Sequence, residues 1–235
     1  MACIECKNLK LGYEEVVVSD LSFDVNEGDY LCIVGENGSG KSTLMKTLLG
    51  LVSPLGGQIL FEKGFDRNKI GYLPQQTMVQ KDFPASVWEI VLSGFQARMG
   101  MRPFYSKEEK AEAEAKMKRL GIESLKKKSY KNLSGGQQQR VLLCRAMCAA
   151  GKLLLLDEPV ASLDPKAANE LYELIKSLNE EGTTVIMISH DIGGALKYAT
   201  HILNLGQRMF FGTVEEFIAV NGIKSIKDGR AGSDE

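Results

Sequence analysis

Leu31-Cys-Ile-Val34 is a short apolar run that enters Gly35-Glu-Asn-Gly-Ser-Gly-Lys-Ser42 directly. Thr43-Leu-Met-Lys-Thr-Leu-Leu49 follows with helical composition and stops at Gly50. A buried strand that turns through glycines into a helix belongs to a parallel sheet, because the helix carries the chain back before the next strand pairs. The octet fits G-x-x-x-x-G-K-[ST], a backbone cradle for phosphate. Gly35, Gly38 and Gly40 let main-chain N–H groups wrap oxygens without Cβ clashes, and Asn37 and Ser39 lie between them. Lys41 is expected to reach the outer phosphates, the Ser42 hydroxyl to ligate Mg²⁺, and Thr43 to stand at the helix start. The bare pattern arises by accident in roughly 1% of chains this long. The strand before it and the helix after it decide for the phosphate cradle.

A second anion receptor lies about a hundred residues on. Leu133-Ser-Gly-Gly-Gln-Gln-Gln-Arg140 reads as a helix start capped by Ser134 and opened by Gly135 and Gly136, with Gln137 next. Uncrowded N–H groups and the helix dipole both favour negative charge there. Two phosphate receptors in one domain suggest one nucleotide gripped from two sides.

Leu153-Leu-Leu-Leu-Asp-Glu-Pro159 supplies acids at a strand end. Asp157 would sit beside the phosphate cradle and hold Mg²⁺, whereas Glu158 points the other way and can orient or deprotonate a water. Acids at strand ends are also often plain solvated loop residues; the upstream cradle favours the catalytic reading. Thr184-Val-Ile-Met-Ile-Ser189 is a third apolar strand, ending at His190. That histidine is either a γ-phosphate contact or a satisfied residue at a strand terminus, and its placement beside the other motifs favours the first.

Composition sets the outer bounds. The 235 residues are 44% apolar and 25% charged, which suits one sizeable α/β domain. The net charge of −1 gives no overall basic field for nucleic acid. No apolar run approaches the ~20 residues that cross a bilayer. The opening Met-Ala-Cys-Ile-Glu-Cys lacks a signal-peptide pattern, so a cytosolic protein is expected. Five scattered cysteines suit reduced thiols. Cys3 and Cys6 form one C-x-x-C pair without a second; an edge strand fits them better than zinc.

Residues 2–34 and 57–73 read as short strands with turns at Asn26-Glu-Gly28 and Gly56-Gly57, suggesting an antiparallel sheet near the cradle. Residues 76–132 change to helical character, with helical spacing over Ala85–Leu92 and a capping box at Ser106-x-x-Glu109. Lys126–Lys128 reads as a solvated face. Asp164-Pro165 opens a helix over 165–180, and strands are expected over 202–205 and 209–211. Residues 214–235 read as a short helix and a frayed tail.

Taken together and in this order, the motifs resemble the nucleotide-binding subunit of an ATP-binding cassette (ABC) transporter, over residues 1 to about 213. Gly35–Thr43 looks like Walker A, Gln75 in Gly71-Tyr-Leu-Pro-Gln75 like the Q-loop, and Leu133–Gln137 like the signature motif. Leu153–Glu158 looks like Walker B with its catalytic glutamate, Ala161-Ser-Leu-Asp164 like the D-loop, and His190 like the switch histidine. Tyr13, in Leu11-Gly-Tyr13, sits where the family keeps an aromatic that stacks on adenine; a packing tyrosine is the alternative. The D-loop departs from the commoner Ser-Ala or Ser-Gly by beginning Ala161-Ser162. Cys144 and Cys148 stand where small apolar residues are usual and fit as core packing.

The resemblance implies an α/β P-loop NTPase: a RecA-like parallel-sheet core, an N-terminal antiparallel β subdomain, and an α-helical subdomain inserted at about 76–132. It implies ATP and Mg²⁺ as ligands, with Ser42, Gln75 and Asp157 on the metal, and Glu158 and His190 catalytic. It further implies an ATP-dependent head-to-tail homodimer in which each nucleotide lies between one copy's cradle and the other's Ser134–Gln137. Such a subunit works on the cytoplasmic face of the membrane, driving a separate permease and, indirectly, a solute-binding protein, with no role for nucleic acid. Length, Phe83-Pro-Ala-Ser-Val-Trp-Glu89 and Leu153–Ala161 look most like bacterial zinc or manganese importers, with siderophore import as nearest rival. The competing class is a soluble cassette ATPase acting on nucleic acid, ribosomes or cofactor assembly. Such relatives usually carry two cassettes or long coiled-coil insertions, and this chain has neither.

Overall fold

A computed structural model of the chain describes residues 2–75, 84–206 and 208–222. Two sheets organise them. Strands β1 (Ala2–Gly12), β2 (Val16–Asn26) and β4 (Gly56–Phe61) form an antiparallel sheet in the order β2-β1-β4. The second sheet has six strands: β3 (Tyr30–Val34), β5 (Ile70–Leu73), β6 (Leu153–Asp157), β7 (Thr184–Ile188), β8 (His201–Asn204) and β9 (Phe210–Thr213). Its order is β5-β6-β7-β3-β8-β9, parallel except for the β8–β9 pair.

β3, β6 and β7 are buried along their whole length, and alternation sorts their side chains between two cores. On one face Leu31, Ile33, Leu153, Leu155, Ile186 and Ile188 pack on Leu44, Met45 and Leu48 of helix α1 (Lys41–Leu48). Beyond α1, that core continues into Ile4, Leu9, Leu11 and Phe23 of the antiparallel sheet. The helix after the phosphate cradle is thus clamped between two sheets, and its axis is fixed by burial on both sides.

On the other face Tyr30, Cys32, Val34, Leu154, Leu156, Val185 and Met187 meet a helical layer. It includes α5 (Gly135–Ala149), α6 (Pro165–Glu180) and α7 (Ile192–Tyr198). Between β5 and α5 come the short helices α2 (Val87–Leu92) and α3 (Gln96–Met99) and the charged α4 (Lys107–Arg119). Of these, α2 and α4 share the same apolar core through Val87, Val91, Ala113 and Met117. Helix α8 (Val214–Asn221) closes over β9 through Phe217 and Phe210, whose ring centroids lie 5.4 Å apart.

Local signals hold where expected. Ser106 caps α4 with a reciprocal box to Glu109, and Asp164 caps α6 ahead of Pro165; a further box, Ser86 with Glu89, starts α2 and was not read from the sequence. Three expectations need correction. Of 57–73, only β4 joins the antiparallel sheet, whereas β5 forms the edge of the parallel one. β1 is the central strand of its sheet, so Cys3 and Cys6 are buried in a sheet interior and do not line an edge. Lys126 is not merely solvated: its ammonium lies 3.9 Å from the centre of the Trp88 ring. Cys144 and Cys148 are fully buried on α5, as packing predicts.

β5 reaches its edge position because Gly71 has no side chain. A Cβ there would lie 2.4 Å from the Ala146 carbonyl oxygen and 2.8 Å from the Ala150 Cβ, both at the end of α5. Gly71→Ala is expected to lower stability by about 1–3 kcal/mol through overpacking. The urea midpoint should fall at unchanged slope; an unmoved midpoint would show that the β5–α5 spacing yields without cost.

Candidate active site

The parallel strands β5, β6, β7 and β3 are neighbours, and their carboxyl ends form one edge of the sheet. That edge is where open α/β sheets take ligands. The segments leaving it carry Gln75, then Asp157 and Glu158, then His190, then the Gly35–Ser42 loop.

The loop is shaped by close approach. Gly35 has φ 145°, and a Cβ on it would lie 2.2 Å from the Leu205 carbonyl oxygen. Gly40 has φ 92°, and its Cβ would lie 2.6 Å from Val18 Cγ2. Both positions therefore demand glycine. Gly40 is also the N-cap of α1 and offers no side chain to it, so the first N–H groups of the helix stay open to an anion. Lys41 is buried, and its ammonium folds back to donate to the carbonyls of Gly35 at 2.8 Å and Glu36 at 2.7 Å. Burial lowers its pKa, against the opposing pull of Glu158 and Asp157. Ser42 is exposed beside it and Thr43 half-buried. A cleft of about 430 Å³ runs along the outer side of the loop, lined by Glu36, Asn37, Gly38 and Ser39 together with Val17 and Val18 of β2.

Asp157 ends β6 almost fully buried. Its Oδ2 accepts from the Tyr72 hydroxyl at 3.5 Å, and its Oδ1 is buried with no partner. Burial is the main cause that raises its pKa, and the adjacent Glu158 adds to it. A carboxylate desolvated in this way, with one oxygen unmet, is the arrangement that a bound cation stabilises.

Glu158 turns sharply away. Its φ is 49°, an uncommon conformation for a residue with a side chain, and its N–H donates to the Ile188 carbonyl at 3.1 Å. The turn sends its carboxylate toward both neighbouring strands. Oε1 lies 2.8 Å from His190 Nε2, and Oε2 accepts from Gln75 Nε2 at 2.9 Å. His190 is held in turn by the segment around it. Asp191 caps α7 through the Gly194 N–H, and the Tyr172 hydroxyl reaches both Ser189 Oγ (3.2 Å) and Asp191 Oδ2 (3.3 Å). Four of the sequence-predicted residues thus meet: Gln75, Glu158 and His190 in direct contact, with Asp157 adjacent.

The Ser134 helix start forms a different cleft. Ser134 Oγ accepts from the Gln137 N–H at 3.3 Å, and Gln137 Oε1 accepts from the Ser134 N–H at 3.2 Å. This reciprocal box uses two donors that the sequence reading left open, so the free N–H groups are those of Gly135 and Gly136. The surrounding cleft, about 390 Å³, is lined by Ser134–Gln137, Arg140, Ser162–Asp164 and Glu170. It shares no residue with the cleft at the phosphate cradle.

Tyr13 stands at the tip of the β1–β2 hairpin, 60% exposed, with its hydroxyl accepting from Lys46 Nζ at 3.2 Å. Tyr72, Val17, Val18 and Lys46 are site neighbours that sequence reasoning missed. Val17 and Val18 come from β2, which has no motif of its own, whereas Tyr72 and Lys46 lie beside the Q-loop glutamine and the cradle at positions that no motif names.

The fold and this edge define a P-loop nucleotide hydrolase. The description "ABC transporter" belongs to the family model that matches residues 18–161, more than half of the chain. The manganese transport system ATP-binding protein MntB of Bacillus subtilis is 37% identical over 97% of this chain and 93% of its own. A solved inward-facing metal-chelate type ABC transporter is 31% identical, with TM-score 0.84 over 92% of this chain and 85% of that one. A dimeric bacterial ABC transporter cassette is 29% identical, with TM-score 0.71 over 88% and 98%. This chain belongs to the ABC transporter family, as one of its ATP-binding, ATP-hydrolysing subunits. Among the described residues, no helix is long and apolar enough to cross a membrane.

Lys41→Ala is expected to remove ATP binding, since the phosphate charge loses its buried counter-charge. Equilibrium titration with a fluorescent ATP analogue reads it, and unchanged affinity would sink the assignment of the cradle.

Proposed function

We propose that the chain is the motor of a metal importer, hydrolysing ATP to drive a separately encoded permease on the cytoplasmic face of the membrane. A divalent transition metal, manganese or zinc, is the favoured cargo, and a metal chelate is the alternative. The support for a metal is likeness to MntB and to the metal-chelate type transporter. A solute-binding protein would deliver the cargo to the permease. We further propose that residues 1–213 act as one ATPase unit, with 76–132 as the part that meets the permease.

The observation that carries the ATPase mechanism is the contact of both Glu158 oxygens with donors from neighbouring strands. Glu158 is the general base, and in the resting arrangement its lone pairs are engaged by Gln75 and His190. Withdrawal of Gln75 frees Oε2 to take a proton from an attacking water, while His190 Nε2 keeps the carboxylate oriented and reaches toward the γ-phosphate. Lys41 exchanges the Gly35 and Glu36 carbonyls for the β- and γ-phosphates. Tyr13 stacks on the base. Ser42, Gln75 and the unmet Oδ1 of Asp157 are the groups that would hold Mg²⁺. Bound there, Mg²⁺ would supply neutralisation of phosphate charge.

The separate clefts of the two receptors favour an isologous dimer, in which Ser134–Gln137 of one protomer closes over the nucleotide in the cradle of the other. Ser162–Asp164 would lie at the same seam.

Glu158→Gln should retain ATP binding and slow phosphate release by roughly 10²–10⁴-fold. If turnover is unchanged, another group positions the water. In that background a dimer should accumulate with ATP and not with ADP, read by light scattering after size exclusion. Adding Ser134→Arg should abolish it with ATP affinity of the monomer nearly intact. A dimer equally populated with ADP, or one surviving Ser134→Arg, would overturn the shared-site reading. For the cargo, cells lacking this chain should lose accumulation of radioactive manganese or zinc and regain it with wild type but not with Glu158→Gln. Unchanged accumulation of both ions, with loss of chelated iron uptake, would move the assignment to the chelate.

A further inference from the structure

The side chain that ties the β1–β2 hairpin to the phosphate-binding helix lies outside every motif in the sequence. Gly12 pairs with Val16, leaving Tyr13, Glu14 and Glu15 as the tip. A Cβ on Gly12 would sit 1.9 Å from the Glu15 carbonyl oxygen, so the chain doubles back tightly there. Tyr13, Val16 and Val17 are all more than half exposed. Packing alone does not hold the ring of Tyr13.

Lys46 supplies the hold. Its Nζ is 3.2 Å from the Tyr13 hydroxyl and 5.9 Å from the ring centre. Covalent geometry puts a tyrosine oxygen about 2.8 Å from its ring centre. The two shorter distances nearly add up to the longer one, so the ammonium lies end-on, beyond the hydroxyl. It does not cover the face, as a cation–π contact would require. The lysine therefore leaves both faces of the ring to other partners.

The other end of the tie is rigid. Leu44, Met45 and Leu48 are fully buried and fix the rotation of α1. The Lys46 carbonyl accepts from the Leu51 N–H at 2.9 Å. Lys46 stands four residues after Ser42, on the same face of α1 and one turn beyond the cradle.

We propose that Lys46 is a positioning residue for the nucleotide base: its end-on bond to the Tyr13 hydroxyl fixes the ring against the phosphate-binding helix and sets the preference for ATP over bare triphosphate. This rests on Tyr13 being the base platform. An ordered ring spares the binding step the cost of arresting a mobile side chain. The lysine charge also acts on Asp157, favouring its ionised form, so an effect on phosphate and metal has to be separated from one on the base.

The test compares affinity for ATP with affinity for inorganic tripolyphosphate, in the same buffer with Mg²⁺, for wild type and variants. Lys46→Met is expected to weaken ATP by roughly three- to tenfold, the worth of one hydrogen bond, with tripolyphosphate much less affected. Tyr13→Phe should give a similar loss, and Lys46→Met in that background should add almost nothing. Lys46→Arg should restore most of the preference. Equal weakening of ATP and tripolyphosphate by Lys46→Met, or additive losses in the double variant, would overturn the proposal. Tyr13→Ala separates the two levels. If it leaves the ratio of affinities unchanged, the platform reading itself falls; if it lowers the ratio while Lys46→Met does not, only the role of Lys46 falls.

Discussion

Parallel pairing of β5, β6, β7 and β3 is the constraint from which the site follows. Parallel strands end on the same side, so adjacent strands release their chains within a strand spacing of one another, about 5 Å. Register then sets depth: Leu73 pairs with Leu156, Asp157 with Ile188, and Ile188 with Ile33. The segments after those pairs are the ones that carry Gln75, Glu158, His190 and Gly35. A one-residue slip of β6 would put either Glu158 or Leu156 in the buried position that Asp157 now holds. Full burial of these strands on both faces is what forbids the slip, since every side chain would change core.

The charges at this edge are balanced against burial. Lys41 is desolvated and drawn toward losing its proton; Asp157 is desolvated and drawn toward keeping one. Burial pushes each toward neutrality, and each raises the other's tendency to stay charged. A polyanion with a divalent cation resolves both at once, the anion meeting Lys41 and the cation meeting Asp157. A nucleotide bound together with a divalent cation, as proposed above, would relieve both desolvated charges at once.

Legibility from sequence divides along the range of the interaction. The glycine cradle, the Ser134 cap, the Ser106 box and the Asp164-Pro165 helix start were readable, because each is satisfied within a few residues of itself; the Ser86 box and the return bond of Gln137 to Ser134 were not read from the sequence. Asp157 and Glu158 were readable as acids at a strand end, but the left-handed turn that aims Glu158 away from Asp157 left no mark in the sequence. β5 was not: four residues of apolar chain carry no mark of which sheet they join, and what decides is the fit of Gly71 under α5. Nor were Tyr72, 85 residues from Asp157, or Lys46, 33 from Tyr13, since neither pairing leaves a local pattern. Cys3 and Cys6 misled because β1 gains a neighbour on each side only once β4 returns to it.

Glu158 brings the two themes together. Its left-handed turn is strained for a side-chain-bearing residue, and such strain persists only where surrounding contacts over-determine it. Three do so: its own N–H on β7, and its two oxygens on Gln75 and His190. Two of those three contacts come from segments just past strand ends, and Gln75 opens the stretch that leads into the helical layer of α2–α4. If Glu158 is the general base and the helical layer meets the permease, as proposed, the Gln75–Glu158 hydrogen bond would link the two without a long pathway through the core.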